Sequence, residues 1–161
     1  MTTHEEYLSG LRARLAADGC TVGEAQLRGG RAVLGHRADF RLQWMATRLH
    51  LVTLALPWSR VDAPAIESFV EDAWAWARAN KKGLPVGMQS GLAVFPVLVG
   101  EEVSAVAKEA VAGQRHAFGT LCRPVAVDLS ADGQATWFDR RTKVGGVFSG
   151  HLVRKGRAYF G

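Results

Sequence analysis

The sequence predicts an α+β fold, with a mostly antiparallel sheet and helices packed on it in an α/β sandwich-like arrangement. Three observations predict it. The chain has 161 residues, of which 48% are hydrophobic, so one domain spanning 1–161 can bury a core without disulfides or metals. Its hydrophobic period changes repeatedly between helical and alternating spacing. Glycine-containing turns join consecutive strand patterns, and such strands pair antiparallel.

The N-terminal elements are a helix followed by three strands. Thr3 and Glu6 have the spacing of a capping box, apolar residues then recur at helical spacing, and Gly19 ends the helix. Three strands follow at 20–27, 33–44 and 49–56. The second alternates cleanly, Gly29-Gly30 is a hairpin turn before it, and Pro57 is expected to end the third.

The remaining elements complete the predicted order α-β-β-β-α-β-α-β-β. Asp62 caps a long helix with an apolar stripe, which Gly83 ends. A buried strand at 92–99 contains Pro96, which favours an edge, a bulge or a break. A helix at 101–111 and a hairpin around Asp132-Gly133 come next. The segment 144–160 fits either a short helix or another strand.

The charge of the chain is concentrated at its C-terminal end. All fifteen acidic residues precede position 140, whereas residues 140–161 carry six basic ones and no acidic one. Residues 1–139 sum to −1 of the total +5. Clustered like charge raises the local potential and favours an anionic partner. We therefore treat 140–161 as a basic C-terminal segment.

The candidate binding residues follow from this asymmetry. Two arginines, Arg37 and Arg41, share one face of the second strand, and arginine binds carboxylate and phosphate groups through paired hydrogen bonds. The basic segment adds Arg140, Arg141, Lys143, Arg154, Lys155 and Arg157. The leading hypothesis is a non-catalytic binding or regulatory module that docks an acidic protein or an anionic ligand through this segment. The alternative is nucleic acid, because Phe148, Tyr159 and Phe160 interleave with the basic residues and aromatic rings stack on bases. The same three rings equally suit anchors that tie the segment to the core.

No motif for catalysis, a metal or a cofactor is present. The five histidines form no pair at helical ligand spacing, and neither Cys20 nor Cys122 belongs to a Cys-x-x-Cys motif. His36 and His50 lie on neighbouring strands and could meet across the ladder. A third possibility is a small-molecule enzyme whose site includes the 83–91 loop, His116 and Cys122. Two distant cysteines favour free thiols, and the N-terminus has no signal-peptide pattern, so we expect a cytoplasmic protein without a membrane span.

The element order over roughly residues 3–99 resembles the core of the restriction-endonuclease-like nucleases. In that family an acidic residue begins the second strand, a role that Asp39 could fill, and an acidic-x-Lys triplet on the third strand holds the metal. The third strand here, 48–56, contains no carboxylate and no lysine. The resemblance therefore implies nucleic-acid binding more than nuclease activity. A similar order occurs in secretion-chaperone-like domains, which bind proteins.

Overall fold

The computed structural model describes residues 2–41, 44, 47–80, 90–113, 121–142 and 146–161. Within them the chain forms four helices and a six-stranded sheet. The helices are α1 His4–Ala17, α2 Ala63–Asn80, α3 Ala105–Ala112 and α4 Gly146–Phe160. The strands are β1 Thr21–Leu27, β2 Gly30–Arg41, β3 Thr47–Val61, β4 Ser90–Val103, β5 Val125–Asp128 and β6 Gln134–Thr136. The α+β class is confirmed, and the basic segment contains a helix.

Local sequence signals account for where α1, α2 and α3 begin. The Thr3 hydroxyl accepts a hydrogen bond from the Glu6 amide at 3.1 Å, and the Glu6 carboxylate accepts one from the Thr3 amide, which is a complete capping box. Asp62 caps α2 by accepting from the Ala65 amide at 2.9 Å. Ser104 caps α3 in the same way. Each cap satisfies backbone N–H groups that have no partner within the helix.

The sheet is mixed, so the prediction of a mostly antiparallel sheet was wrong. The strands lie in the order β1-β2-β3-β4-β5-β6. The pairs β1–β2, β2–β3 and β5–β6 are antiparallel, whereas β3–β4 and β4–β5 are parallel. The reason is that α2 and α3 each return the chain to the end of the sheet at which the preceding strand began. A helical crossover of this kind makes the next strand parallel.

Two prolines lie inside strands, where each avoids the loss of a ladder bond. Pro57 does not end β3, which continues to Val61. It lies beyond Ala55, the last β3 residue that pairs with β2, so one side of the strand carries no ladder there. Pro96 lies between the isolated bridge of Val94 and the β4–β5 ladder, which resumes only at the next residue. Proline is tolerated at such interruptions because it has no N–H to donate.

The sheet separates two apolar cores. Leu54 and Leu56 of β3 face α2 and α3, whereas Ala55 faces α1 and α4. Because both faces of β3 and β4 are covered, the central stretches of these strands, 49–56 and 92–99, are mostly apolar. Among the described residues, no helix is long and apolar enough to cross a membrane.

Candidate functional site

Arg37, one of the predicted anion-binding residues, is already occupied by two carboxylates of the chain itself. Its guanidinium contacts the Asp39 carboxylate through two bonds of 2.8 and 2.6 Å, and Nη1 lies 2.8 Å from Asp18 Oδ2. The same Nη1 donates to the Asp18 carbonyl. These bonds, first those with Asp39, raise the pKa of Arg37 above its ordinary value. The arginine therefore holds β2 against the end of α1.

Lys155 belongs to the same network from the side of α4. Its ammonium lies 2.9 Å from Asp18 Oδ1, and the Tyr159 hydroxyl donates to Asp18 Oδ2 at 2.5 Å. Burial alone would raise the pKa of Asp18. The hydrogen bonds from Tyr159, Lys155 and Arg37 outweigh burial and lower the pKa below 3.8. Asp18 is thus the anion that joins α1, β2 and α4.

A histidine makes a second connection between α4 and β2. His151 is buried, and its Nε2 is 3.2 Å from Asp39 Oδ2. Its ring packs edge-on against the Trp44 ring, with the two ring centroids 5.0 Å apart. Asp39, which could fill the role of the acidic residue on the second strand in the nuclease resemblance, therefore faces Arg37 and His151. Among the described residues there is no group of three or more His, Cys, Asp or Glu arranged to hold a metal.

Four of the predicted residues are exposed to solvent. They are Arg140, Arg141, Arg154 and Arg157. Arg141 lies against α4, because a Cβ added to Gly150 would be 3.2 Å from its guanidinium carbon. Gly150, Arg154 and Arg157 have the i, i+4, i+7 spacing that places residues on one side of a helix. Arg141, Arg154 and Arg157 therefore form one exposed strip, which we call the basic face.

Two further predicted residues cannot be placed in this face. Arg41 is the last residue of β2, but its side chain lies outside the described residues, as does the whole of Lys143.

The hypothesis of a small-molecule enzyme involved the 83–91 loop, His116 and Cys122. Residues 83–89 of this loop and His116 also lie outside the described residues. Cys122 is described and buried, and burial raises the pKa of its thiol to about 12. The thiolate is the nucleophilic form of cysteine, and burial disfavours that form for Cys122 at neutral pH.

The aromatic residues of the C-terminal segment are anchors. Tyr159 is fully buried and Phe160 nearly so, and both rings pack edge-on against Phe95 at the centre of β4. Phe148 packs against Trp44. Rings held in the core, such as those of Tyr159 and Phe160, cannot stack on bases, and half-buried Phe148 is packed against the same core, so the structure favours anchoring.

His36 and His50, which lie on neighbouring strands, contact each other. In the β2–β3 register His36 is opposite Val52 and His50 is opposite Ala38, so the two imidazoles are diagonal neighbours on the α2 side of the sheet. Their rings stack with centroids 5.3 Å apart and 13° between planes. His36 Nε2 lies 3.1 Å from His50 Nδ1, so one nitrogen donates and the other accepts.

Sequence reasoning missed Asp18 and Arg123, and it missed the hydrogen bond between Tyr159 and Asp18. Asp18 precedes a glycine that ends a helix, and Tyr159 belongs to an apolar stripe. Neither pattern indicates that the two side chains, more than 100 residues apart, form a hydrogen bond. Arg123 is almost fully buried, and its Nη1 donates to the carbonyls of Phe138 and Arg140 at 2.6 and 2.8 Å. Burial lowers its pKa to about 10. This arginine fixes the backbone at the start of the basic segment.

Comparison with known proteins identifies no relative. No protein-family model matches the chain, and no curated protein or solved structure is significantly similar to it.

Proposed function

We propose that this chain is a binding module whose basic face docks an acidic segment of a partner protein. One observation carries the proposal: Arg141, Arg154 and Arg157 are exposed along a single side of α4 and form no ion pair with any described residue. Arg37 and Lys155 are left out of this face because their charges are committed to Asp18 and Asp39.

The dimensions of the basic face favour a short acidic segment. Gly150 to Arg157 spans roughly 10 Å along the helix axis. That length matches two or three carboxylates on an extended segment or a helix turn, and arginine binds carboxylates through paired hydrogen bonds. The sequence contains no acidic residue after Asp139, so α4 supplies no carboxylate of its own to compete. Electrostatic complementarity of this kind contributes mainly to association rate and specificity.

The experiment compares charge reversal on and off the basic face. A fluorescein-labelled decaglutamate peptide is titrated with the wild-type chain, with R154E/R157E, and with the control R28E/R60E. Both double variants change the net charge equally, and Arg28, in the β1–β2 turn, and Arg60, on β3, are both exposed. We expect R154E/R157E to weaken binding about tenfold at low salt, equivalent to about 1.4 kcal/mol, and the control to change it less than about threefold.

Two results would count against the proposal. Equal losses in the two double variants would reduce the interaction to net charge alone. Tighter binding of an oligothymidylate than of the peptide, with a steep dependence on salt, would make nucleic acid the partner class. Substitution is preferable to deletion of 140–161, because Tyr159 and Leu152 of α4 are core residues and their removal would expose the sheet.

A further inference from the structure

A concave site lies on the side of the sheet opposite the basic face. A cavity of about 350 Å³ opens between the start of β1, the middle of β2 and β3, and the last turns of α2. This volume is within the range of sites that bind small molecules. The binding module proposed above makes no use of it.

The cavity exists because β1 carries little side-chain volume beneath the end of α2. Along the α2-facing row of this strand, Ala25 and Leu27 are buried in the core. The preceding residue of that row is Gly23, where an added Cβ would meet no atom within 4 Å. Thr21 begins the row and also lines the cavity. Space therefore remains open where the strand and the helix diverge.

The body of the cavity is apolar and includes an aromatic wall. Leu34 of β2 and Val52 of β3 contribute branched side chains from the sheet, and Trp76 of α2 contributes a half-buried indole ring. An indole face next to aliphatic side chains binds flat apolar molecules well, because large contact areas form without ordering many rotatable bonds.

The polar end of the cavity is the stacked imidazole pair. His50 is buried at 6% exposure and His36 is half-buried, and both line the cavity, so a ligand meets this imidazole pair in a place shielded from bulk water. Thr21 and Asn80 add a hydroxyl and an amide to the lining. None of the ten described lining residues is Asp, Glu, Lys or Arg. The imidazole, hydroxyl and amide groups of this lining can bind an uncharged polar group of a ligand, and no charge then has to be buried.

We propose that this cavity binds a small planar aromatic molecule of one or two fused rings, with an uncharged hydrogen-bonding group at its edge. The rings lie against Trp76 and the aliphatic wall, and the polar edge meets His36 and His50. The proposal is independent of the basic face, which lies on the other side of the sheet.

The test uses 2-naphthamide as the probe, and 2-naphthoate as the charged molecule of the same shape. Both are titrated into the full chain at pH 8 by calorimetry and by ligand-observed NMR. We expect 2-naphthamide to bind with a Kd of about 1 mM or tighter, and 2-naphthoate to bind at least about tenfold more weakly.

Two variants locate the site. Gly23→Leu places a side chain in the open space and is expected to weaken 2-naphthamide binding at least about tenfold. Gln26→Leu adds the same side chain on the other face of β1 and should leave the affinity unchanged. His36→Phe keeps a ring above His50 but removes its hydrogen bonds, and should weaken binding several-fold. Circular dichroism confirms that each variant is folded.

Three outcomes would overturn the inference. The absence of 2-naphthamide binding to the folded wild type removes the site. Equal affinity in Gly23→Leu and Gln26→Leu places the probe elsewhere on the protein. Tighter binding of 2-naphthoate than of 2-naphthamide shows that the ligand class is anionic.

Discussion

Tyr159 in the last turn of α4 donates a hydrogen bond of 2.5 Å to Asp18, the residue that caps the C-terminus of α1, across 141 positions of sequence. The same carboxylate accepts from Arg37 and Lys155. A single anion therefore brings together three elements on one face of the sheet. The hydroxyl of Tyr159 and the two cations each satisfy a different position around its oxygens, which is the condition for a stabilising half-buried ion network.

The first prediction concerns the loss of this anion. Asp18→Asn leaves Arg37 and Lys155 half-buried without one of their counterions, and we expect the free energy of unfolding to fall by about 1–3 kcal/mol. Urea denaturation measures it. Asp132→Asn is the matched control: Asp132 is exposed at φ 55°, a conformation that asparagine also adopts, so its effect should be near zero. A loss no larger than that of the control would show that Asp18 does not hold the helices together.

The second prediction is a dependence of stability on acid. Burial acts to raise the pKa of Asp18 and Asp39, but the hydrogen bonds to Asp18 and the Arg37 contact of Asp39 lower both below 3.8. A depressed pKa contributes stability that is present above the unfolded-state value and is lost as pH falls through the folded-state value. We therefore expect this contribution to be constant above about pH 5 and to decline below about pH 4.

Chemical denaturation at a series of pH values measures this decline. Asp39→Asn should be less stable than the wild type at pH 7 and should lose less stability on acidification. Parallel curves for the two proteins would contradict the assignment of the acid dependence to this network.

The third prediction contrasts two glycines of α4. A Cβ at Gly156 would lie 2.3 Å from the Trp137 ring, whereas the three atoms nearest to a Cβ at Gly150 all belong to the flexible guanidinium of Arg141, at 3.2 to 3.3 Å. Gly156→Ala should destabilise the protein by about 1–3 kcal/mol through overpacking, despite the higher helix propensity of alanine. Gly150→Ala should be neutral or stabilising by up to about 1 kcal/mol. Thermal unfolding of both variants measures the difference. Equal effects of the two substitutions would contradict the close packing of Gly156 against Trp137.

The fourth prediction concerns thiol reactivity. Because burial raises the pKa of Cys122 to about 12, compared with 9.0 for an ordinary thiol, little thiolate forms at pH 8. We expect iodoacetamide to modify Cys122 in the folded protein on the order of 100-fold more slowly than in urea. Mass spectrometry of the peptides gives both rates. Rapid modification in the folded state would restore Cys122 as a candidate nucleophile.

Local signals were sufficient for several parts of the fold. The predicted hairpin around Asp132-Gly133 joins β5 and β6, and both residues have positive φ angles. The stripe on α2 predicted its buried face, since Ile66, Phe69 and Ala73 all belong to the core. These features depend on residues close together in sequence, where periodicity and turn chemistry apply directly.

Strand direction was predicted wrongly for the β3–β4 and β4–β5 pairs, because residue patterns specify the faces of a strand and not its direction. The long apolar stretches of β3 and β4 were nevertheless a signal for parallel pairing, since strands covered on both faces are common in parallel sheets. The structural role of Arg37 was not predicted, for a different reason. Its charge was treated as available for a ligand, because sequence patterns do not show that Asp39, two residues away, and Asp18, 19 residues away, both bind it in the fold.

The order of the strands in the sheet has a consequence for how the protein folds. Each strand lies beside its sequence predecessor, so the sheet can grow at one edge by a single loop closure at a time. The β1–β2–β3 meander closes through short turns, whereas β4 and β5 each wait for a helical crossover, and parallel pairing of this kind is slow. We expect pulsed hydrogen exchange during refolding to protect amides of β1–β3 before those of β5. Simultaneous protection would instead indicate that the crossovers form within the nucleus.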